Sequence, residues 1–244
     1  MGDMFHEDCP DEWILDALTV MAIARQHTFQ VLTKRSRRMR EFMSRPELLA
    51  DIYANWYTFD GGEREVAAWP LPNLWLGVST ERQQELNERE EDLRYTPAAI
   101  RFLSCEPLLG QLDARRSLYS GQIHWVIVGG ESGRNARPMH PDWARDLRDQ
   151  CSAAGVAFFF KQWGEWAPNI GAVDGWTIND NPEISRFDHR EWEDGAWSET
   201  FRPMWCDFSD GNYDEEQCVS RIGKKAAGRL LDGVEHNGMP ELAR

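Results

Sequence analysis

The stretch NLWLGVSTERQQELNEREEDLRYTPAAIRFLSC, residues 73–105, decides the fold class. It opens with one apolar run, NLWLGVST (73–80), and closes with another, AIRFLSC (99–105). Both runs are near-continuous rather than alternating, the pattern of strands buried on both faces of a parallel sheet. Between them, residues 81–91 carry many charges and few apolar positions and read as an exposed helix. A strand, a helix and a strand at this spacing form a βαβ unit, and such units build a parallel sheet.

The same pattern extends in both directions. HTFQVLT (27–33), IHWVIVGG (123–130) and VAFFFKQW (156–163) are further strand candidates. Residues 11–26 put Ile14, Leu18, Met21 and Ala22 on one helical face, with Pro10 near the start. Residues 141–153 open with Pro141, carry Trp143, Leu147 and Cys151 as a stripe, and end before Gly155. Right-handed crossovers make such a chain either a partial barrel or a doubly wound layer. The fold class expected is therefore α/β with mostly parallel strands over residues 1–163.

After about residue 165 the character changes. Residues 164–217 are rich in Gly, Asp, Pro and Trp, including Trp166, Trp176, Trp192, Trp197 and Trp205, with little periodicity. This predicts an ordered but irregular, Trp-rich appendage over 164–244, covering one face of the sheet. GKKAAGRLLDG (223–233) reads as a short helix closing at Gly233.

The chain has 244 residues, 41% of them hydrophobic, and 12 Trp, enough for a substantial core. No run approaches the ~20 apolar residues of a membrane helix. The acidic start MGDMFHEDCPDE lacks the basic and apolar parts of a signal peptide, so a cytoplasmic location is expected. Five widely spaced cysteines, Cys9, Cys105, Cys151, Cys206 and Cys218, fit neither a disulfide framework nor a zinc knuckle. The six His show no metal spacing, and no metal site or cofactor is predicted.

Net charge is −14. Between 180 and 217, twelve acids face Arg186, Arg190 and Arg202, a local balance of −9. Such a surface repels phosphate backbones, which disfavours free nucleic acid, and suits a basic protein surface. Partner-binding candidates are Asp180, Glu191, Glu193, Asp194, Trp197, Glu199, Asp214, Glu215 and Glu216, with solubility as the competing explanation for the charge. Lys34, Arg35, Arg37, Arg38 and Arg40 form the opposite, a compact basic run that either grips phosphate or is a solvated helix face.

Ligands of parallel α/β sheets sit just past the carboxyl ends of the strands. Those positions here are polar, and the candidate pocket is Lys34, Ser79, Glu106, Gly130, Glu131 and Lys161. Glu106 and Glu131 would serve either as an acid/base pair or in ion pairs with Lys34 or Lys161. Cys105 reads as a buried thiol in preference to a nucleophile.

FHEDCPDEW (5–13), HTFQVLTKRSRRM (27–39), NLWLGVST (73–80), RFLSCEPLLG (101–110), WVIVGGESGRNARPMHPDW (125–143), FFFKQWGEW (158–166) and GKKAAGRLLDG (223–233) together resemble a phage-associated family of unknown function. Members of that family are themselves similar to radical-SAM barrels. The resemblance implies a partial (β/α) barrel with its mouth at the strand ends. It also implies a preceding segment with three closely spaced cysteines, the means of holding an iron–sulfur cluster, which this sequence does not contain.

Two functions are expected from this. One is a non-catalytic, phage-derived inhibitor of a host defence or nucleic-acid-processing complex, anti-CRISPR-like, whose partner is a host protein with a basic surface such as a CRISPR effector or nuclease. The other is a radical-SAM-like or nucleotide-modifying enzyme whose cluster segment comes from another chain. No membrane partner is expected, and self-association stays open.

Overall fold

The structure is a computed structural model that describes residues 2–60, 68–168, 189–198 and 218–241. Its centre is a sheet of five parallel strands: β1 (Phe29–Thr33), β2 (Leu74–Ser79), β3 (Ile100–Cys105), β4 (Trp125–Gly129) and β5 (Ala157–Gln162). They lie side by side in chain order, with no reversal. A doubly wound sheet needs a reversal to place helices on both faces; sequential order places them all on one. The result is a sector of a β/α barrel that does not close.

The core confirms this one-sidedness. Leu74, Leu76, Val78, Leu103, Cys105, Val126, Val128 and Phe160 share one buried cluster with the helices. Those helices are α1 (Asp11–Ile23), α2 (Ser36–Met43), α3 (Leu48–Asp60), α4 (Gln83–Tyr95), the single turn α5 (Arg115–Leu118) and α6 (Pro141–Ala154). The other face carries a separate cluster of Trp75, Ile100, Phe102 and Trp125, flanked by Ile127, Ala157 and Phe159, with no helical member. Trp125 sits at its middle, 5.8 Å from Trp75, 5.7 Å from Phe102 and 6.0 Å from Phe159. Gly77 leaves the room for this, because a Cβ there would stand 2.3 Å from the Phe102 ring.

Local signals set the helix ends. In α6, Pro141 sits in the first turn, where its missing N–H costs nothing, and the His140 imidazole accepts from the Asp142 N–H at 3.1 Å. Gly155 then takes the left-handed C-cap. The exposed helix expected over 81–91 is α4, which runs four residues further and buries Leu86, Glu90 and Leu93.

Two expectations need correction. Only β2 is buried along its whole length; β1 and β5 alternate, because each forms an edge of the sheet. The predicted helix to Gly233 is a single turn, α7 (Lys224–Ala227), stopped where Gly228 takes a φ of 66°. Residues 228–238 instead run back along β5. The Phe160 N–H donates to His236 O (3.0 Å), Gly238 N–H to Phe158 O (2.9 Å) and Trp163 N–H to Gly228 O (3.2 Å). The Trp125 indole adds a bond to Gly238 O at 2.8 Å. Each such bond is worth about 1 kcal/mol net.

Past β5 the chain enters a second sheet of β6 (Trp166–Pro168), β7 (His189–Glu193), β8 (Ala196–Trp197) and β9 (Cys218–Arg221), ordered β6-β9-β7-β8. All its pairings are antiparallel; beyond β9 the described residues hold only the single turn α7 and isolated bridges, so this part of the appendage is irregular as the sequence predicts. It is fastened to the loop after β4: the Trp166 indole donates to Ala136 O (2.8 Å) and Arg221 to Gly133 O (3.2 Å).

Candidate functional site

The carboxyl ends of the five strands form the mouth that the sequence predicts as a site, and three ion-pair groups occupy it. At the first, Lys34, just past β1, donates to Glu81, just past β2. Arg89, from the second turn of α4, reaches the same carboxylate at 3.2 Å and also donates to Ser79 O at 2.7 Å. Burial pushes the Glu81 carboxyl up, but the Lys34 hydrogen bond, its backbone bond and both cations outweigh this, leaving it below its ordinary value.

The second group spans β3 and β5. Glu106 accepts from Lys161 at 2.9 Å and from the Gln162 amide at 3.4 Å; that amide also reaches Ser132 at 3.2 Å. Gly130 lies close by, where the backbones of the β4 and β5 loops meet. A Cβ on Gly130 would stand 1.8 Å from Trp163 O, so no side chain fits.

The third group is local. Glu131 takes a two-pronged bond from Arg137, both contacts 2.8 Å, and accepts the Arg137 backbone N–H at 2.8 Å. The Arg137 guanidinium holds the Glu131 carboxyl below its usual value.

Of the six predicted pocket residues, the structure therefore unites Glu106 with Lys161. Lys34 goes to Glu81 and Glu131 to Arg137, so the two glutamates of the proposed acid/base pair have different cations. Cys105 is fully buried against Thr80, Oγ1 to Sγ 3.2 Å, and burial pushes its thiol up to about 12. Glu81 and Gln162 stand among the polar strand-end positions of the sequence but outside the six-residue pocket, while Arg89 and Arg137 escaped the sequence reading altogether. Arg89 carried no signal, since it looks like one more charge on a solvated helix; Glu81 directly follows a predicted strand and could have been included.

The partner-binding candidates fall differently. Asp180, Glu199, Asp214, Glu215 and Glu216 lie outside the described residues. Glu191 and Glu193 are on β7. Asp194 and Gly195 form the two-residue turn to β8, with φ of 49° and 82°, both positive as an Asp-Gly hairpin turn requires. Trp197 packs its ring against His140, Trp143 and Trp192 at centroid distances of 5.7, 6.4 and 5.1 Å, tying the second sheet to the start of α6.

Among the described residues, no group of three His, Cys, Asp or Glu is placed to hold a metal ion, and no helix is long and apolar enough to cross a membrane. The sequence model of a family described as a protein of unknown function (DUF5131) matches residues 1–240. No curated protein and no solved structure matches the chain.

Proposed function

The chain belongs to the DUF5131 family, and from that premise we propose that it is a non-catalytic binding protein, a phage-derived inhibitor of a host defence or nucleic-acid-processing complex. One observation carries the reading: the mouth holds its ionisable groups in fixed pairs. Glu81 is clasped by Lys34 and Arg89, Glu106 by Lys161, and Glu131 by Arg137. A general base works from a pKa near the operating pH. Glu81 and Glu131 are instead held below the ordinary carboxylate value, and the Cys105 thiol lies far above neutrality. Paired charges of this kind fix the loops they join and present a rigid surface to a partner.

The partner suggested is a protein with a basic groove. A net charge of −14, concentrated over 180–217, steers association with such a surface and competes with the nucleic acid that would otherwise fill it. The test is capture on the full-length chain from host lysate. Recovery of a nuclease, helicase or surveillance-complex subunit is expected, lost when Asp214, Glu215 and Glu216 become Lys. Recovery of no such subunit overturns the reading.

A second reading has its own observation. Lys34, Glu81 and Arg89 on one side, and Glu106, Lys161 and Gln162 on the other, converge on the strand ends where barrel enzymes bind substrates. On that reading the chain is half of a radical-SAM-like or nucleotide-modifying enzyme, and another chain supplies the cluster. Anaerobic reconstitution with iron and sulfide, with and without candidate neighbours, separates the two: a stoichiometric cluster that cleaves S-adenosylmethionine favours the enzyme.

A further inference from the structure

Beside the mouth, a recess of about 650 Å³ opens between the N-terminal arm, α2 and α4. Lys34, Arg35, Arg37, Arg38, Arg45 and Arg89 line it, against three acids, Glu7, Asp11 and Glu41. This is a local inversion in a chain where 41 acids outnumber 27 basic residues. The pairing leaves positive charge over. Arg38 and Arg45 share the single carboxylate of Asp11, and Lys34 and Arg89 share Glu81 behind the wall. Arg35 pairs with Glu7 at 3.3 Å and with Asp3 at 4.0 Å, and Arg37 pairs with Glu41 at 2.9 Å. Six cations thus meet five carboxylates.

We propose that this recess binds a small ligand bearing linked phosphates, a nucleoside di- or triphosphate or an inorganic polyphosphate. The shared chemistry is a compact polyanion. Arg38 is fixed, donating to His6 O, Cys9 O and Asp11, so it supplies background charge. Arg35 and Arg37 can move to the ligand, with side chains 33% and 84% exposed, while Lys34 stays on Glu81 and adds its charge from the rim. The exposed pairs Arg35–Glu7 and Arg37–Glu41 are weak, so a multiply charged phosphate displaces those carboxylates. The fork of an Arg guanidinium then matches phosphate oxygens two at a time. The recess has the volume of a small-molecule site, and the acidic chain around it repels a long phosphate backbone. The recess takes an anion where the partner-binding reading needs a basic surface, so the two stand or fall separately.

The test is isothermal titration of the full chain with inorganic triphosphate, ATP and ADP, at low and high salt. Binding that weakens with salt is expected, along with a loss of about tenfold or more in the Arg35→Ala, Arg37→Ala double variant. Lys225→Ala, an exposed cation on α7, should bind as the native chain does. Equal affinity for triphosphate and ATP assigns the site to the phosphate chain; preference for ATP adds contacts to the nucleoside. Circular dichroism checks the double variant, and Arg37→Ala alone, the most exposed of the six, gives a weaker loss should that variant misfold. No binding at low salt, undiminished binding in the variants, or tighter binding of a duplex or single-stranded oligonucleotide than of triphosphate overturns the proposal.

Discussion

The two edges of the parallel sheet are finished in opposite ways. Along β5, residues 228–238 return to the sheet, and their backbone takes up the outward N–H and C=O groups. Along β1, Phe29, Val31 and Thr33 face β2, and no strand among the described residues pairs with the outward side at Gln30 and Leu32. An edge is a template for further pairing. The chain seals one edge with its own backbone and keeps the other to five residues. At the carboxyl end of that open edge, Asp3 accepts from the Thr33 hydroxyl (2.7 Å) and the Lys34 N–H (3.1 Å), which stops the ladder there. Order at the sealed edge comes from long-range hydrogen bonding; at the open edge it comes from brevity and charge.

The sharpest way to break this comparison is at Trp125, which links the helix-free face to the sealing segment. Trp125→Ala removes a ring 4% exposed and should cost about 3–5 kcal/mol in urea unfolding. Trp125→Phe keeps an aromatic ring there but loses the bond to Gly238 O and part of the ring volume, so its cost should exceed the ~1 kcal/mol of the bond and stay below that of the alanine variant. Gly238→Ala attacks the seal directly, since its Cβ would lie 2.5 Å from Phe158 O; a loss of about 2 kcal/mol is expected, with faster amide exchange in β5. If exchange rises in β1 instead, the edges are not independent.

On the open side, Glu81→Gln loosens the clasp between the ends of β1 and β2 and should cost about 1.5 kcal/mol at neutral pH. The folded carboxyl titrates below its ordinary 4.5, so its contribution is complete above that value and drains away as acid carries the pH through the depressed one. The gap between native chain and variant should narrow as pH falls. The smallest effect belongs to Leu32→Lys: 42% exposed on the open edge, it should change stability by less than about 0.5 kcal/mol. A larger loss would mean that something covers β1.

What the sequence discloses follows this division. β2, β3 and β4 are near-continuous apolar runs because both their faces are covered, and they were legible. In HTFQVLT the alternation of Phe29, Val31 and Thr33 with Gln30 and Leu32 marks an edge, a signal easily lost beside stronger runs. The sealing segment was invisible, since VEHNGM has neither apolar alternation nor β-branched density: its bonds are backbone bonds, and only at Gly238 does the close approach to Phe158 restrict the side chain. At the mouth, the strand-end reading names Lys34, Ser79, Glu106 and Lys161, and the structure places each at or next to the carboxyl end of a strand. Their partners were another matter. Arg89 reaches Glu81 from a helix facing another way in the sequence pattern, and Arg137 reaches Glu131 through loop geometry that no periodicity encodes.

Because the seal on β5 is made by His236 and Gly238, more than seventy residues must be translated after β5 before the sheet is finished. At ~5–20 residues per second, β5 waits about 4–15 s on the ribosome with its outer side bare. Completion of the sheet is thus timed by synthesis rather than by the speed of strand pairing, and a nascent chain stalled within that window would offer β5 to any extended peptide or chaperone nearby.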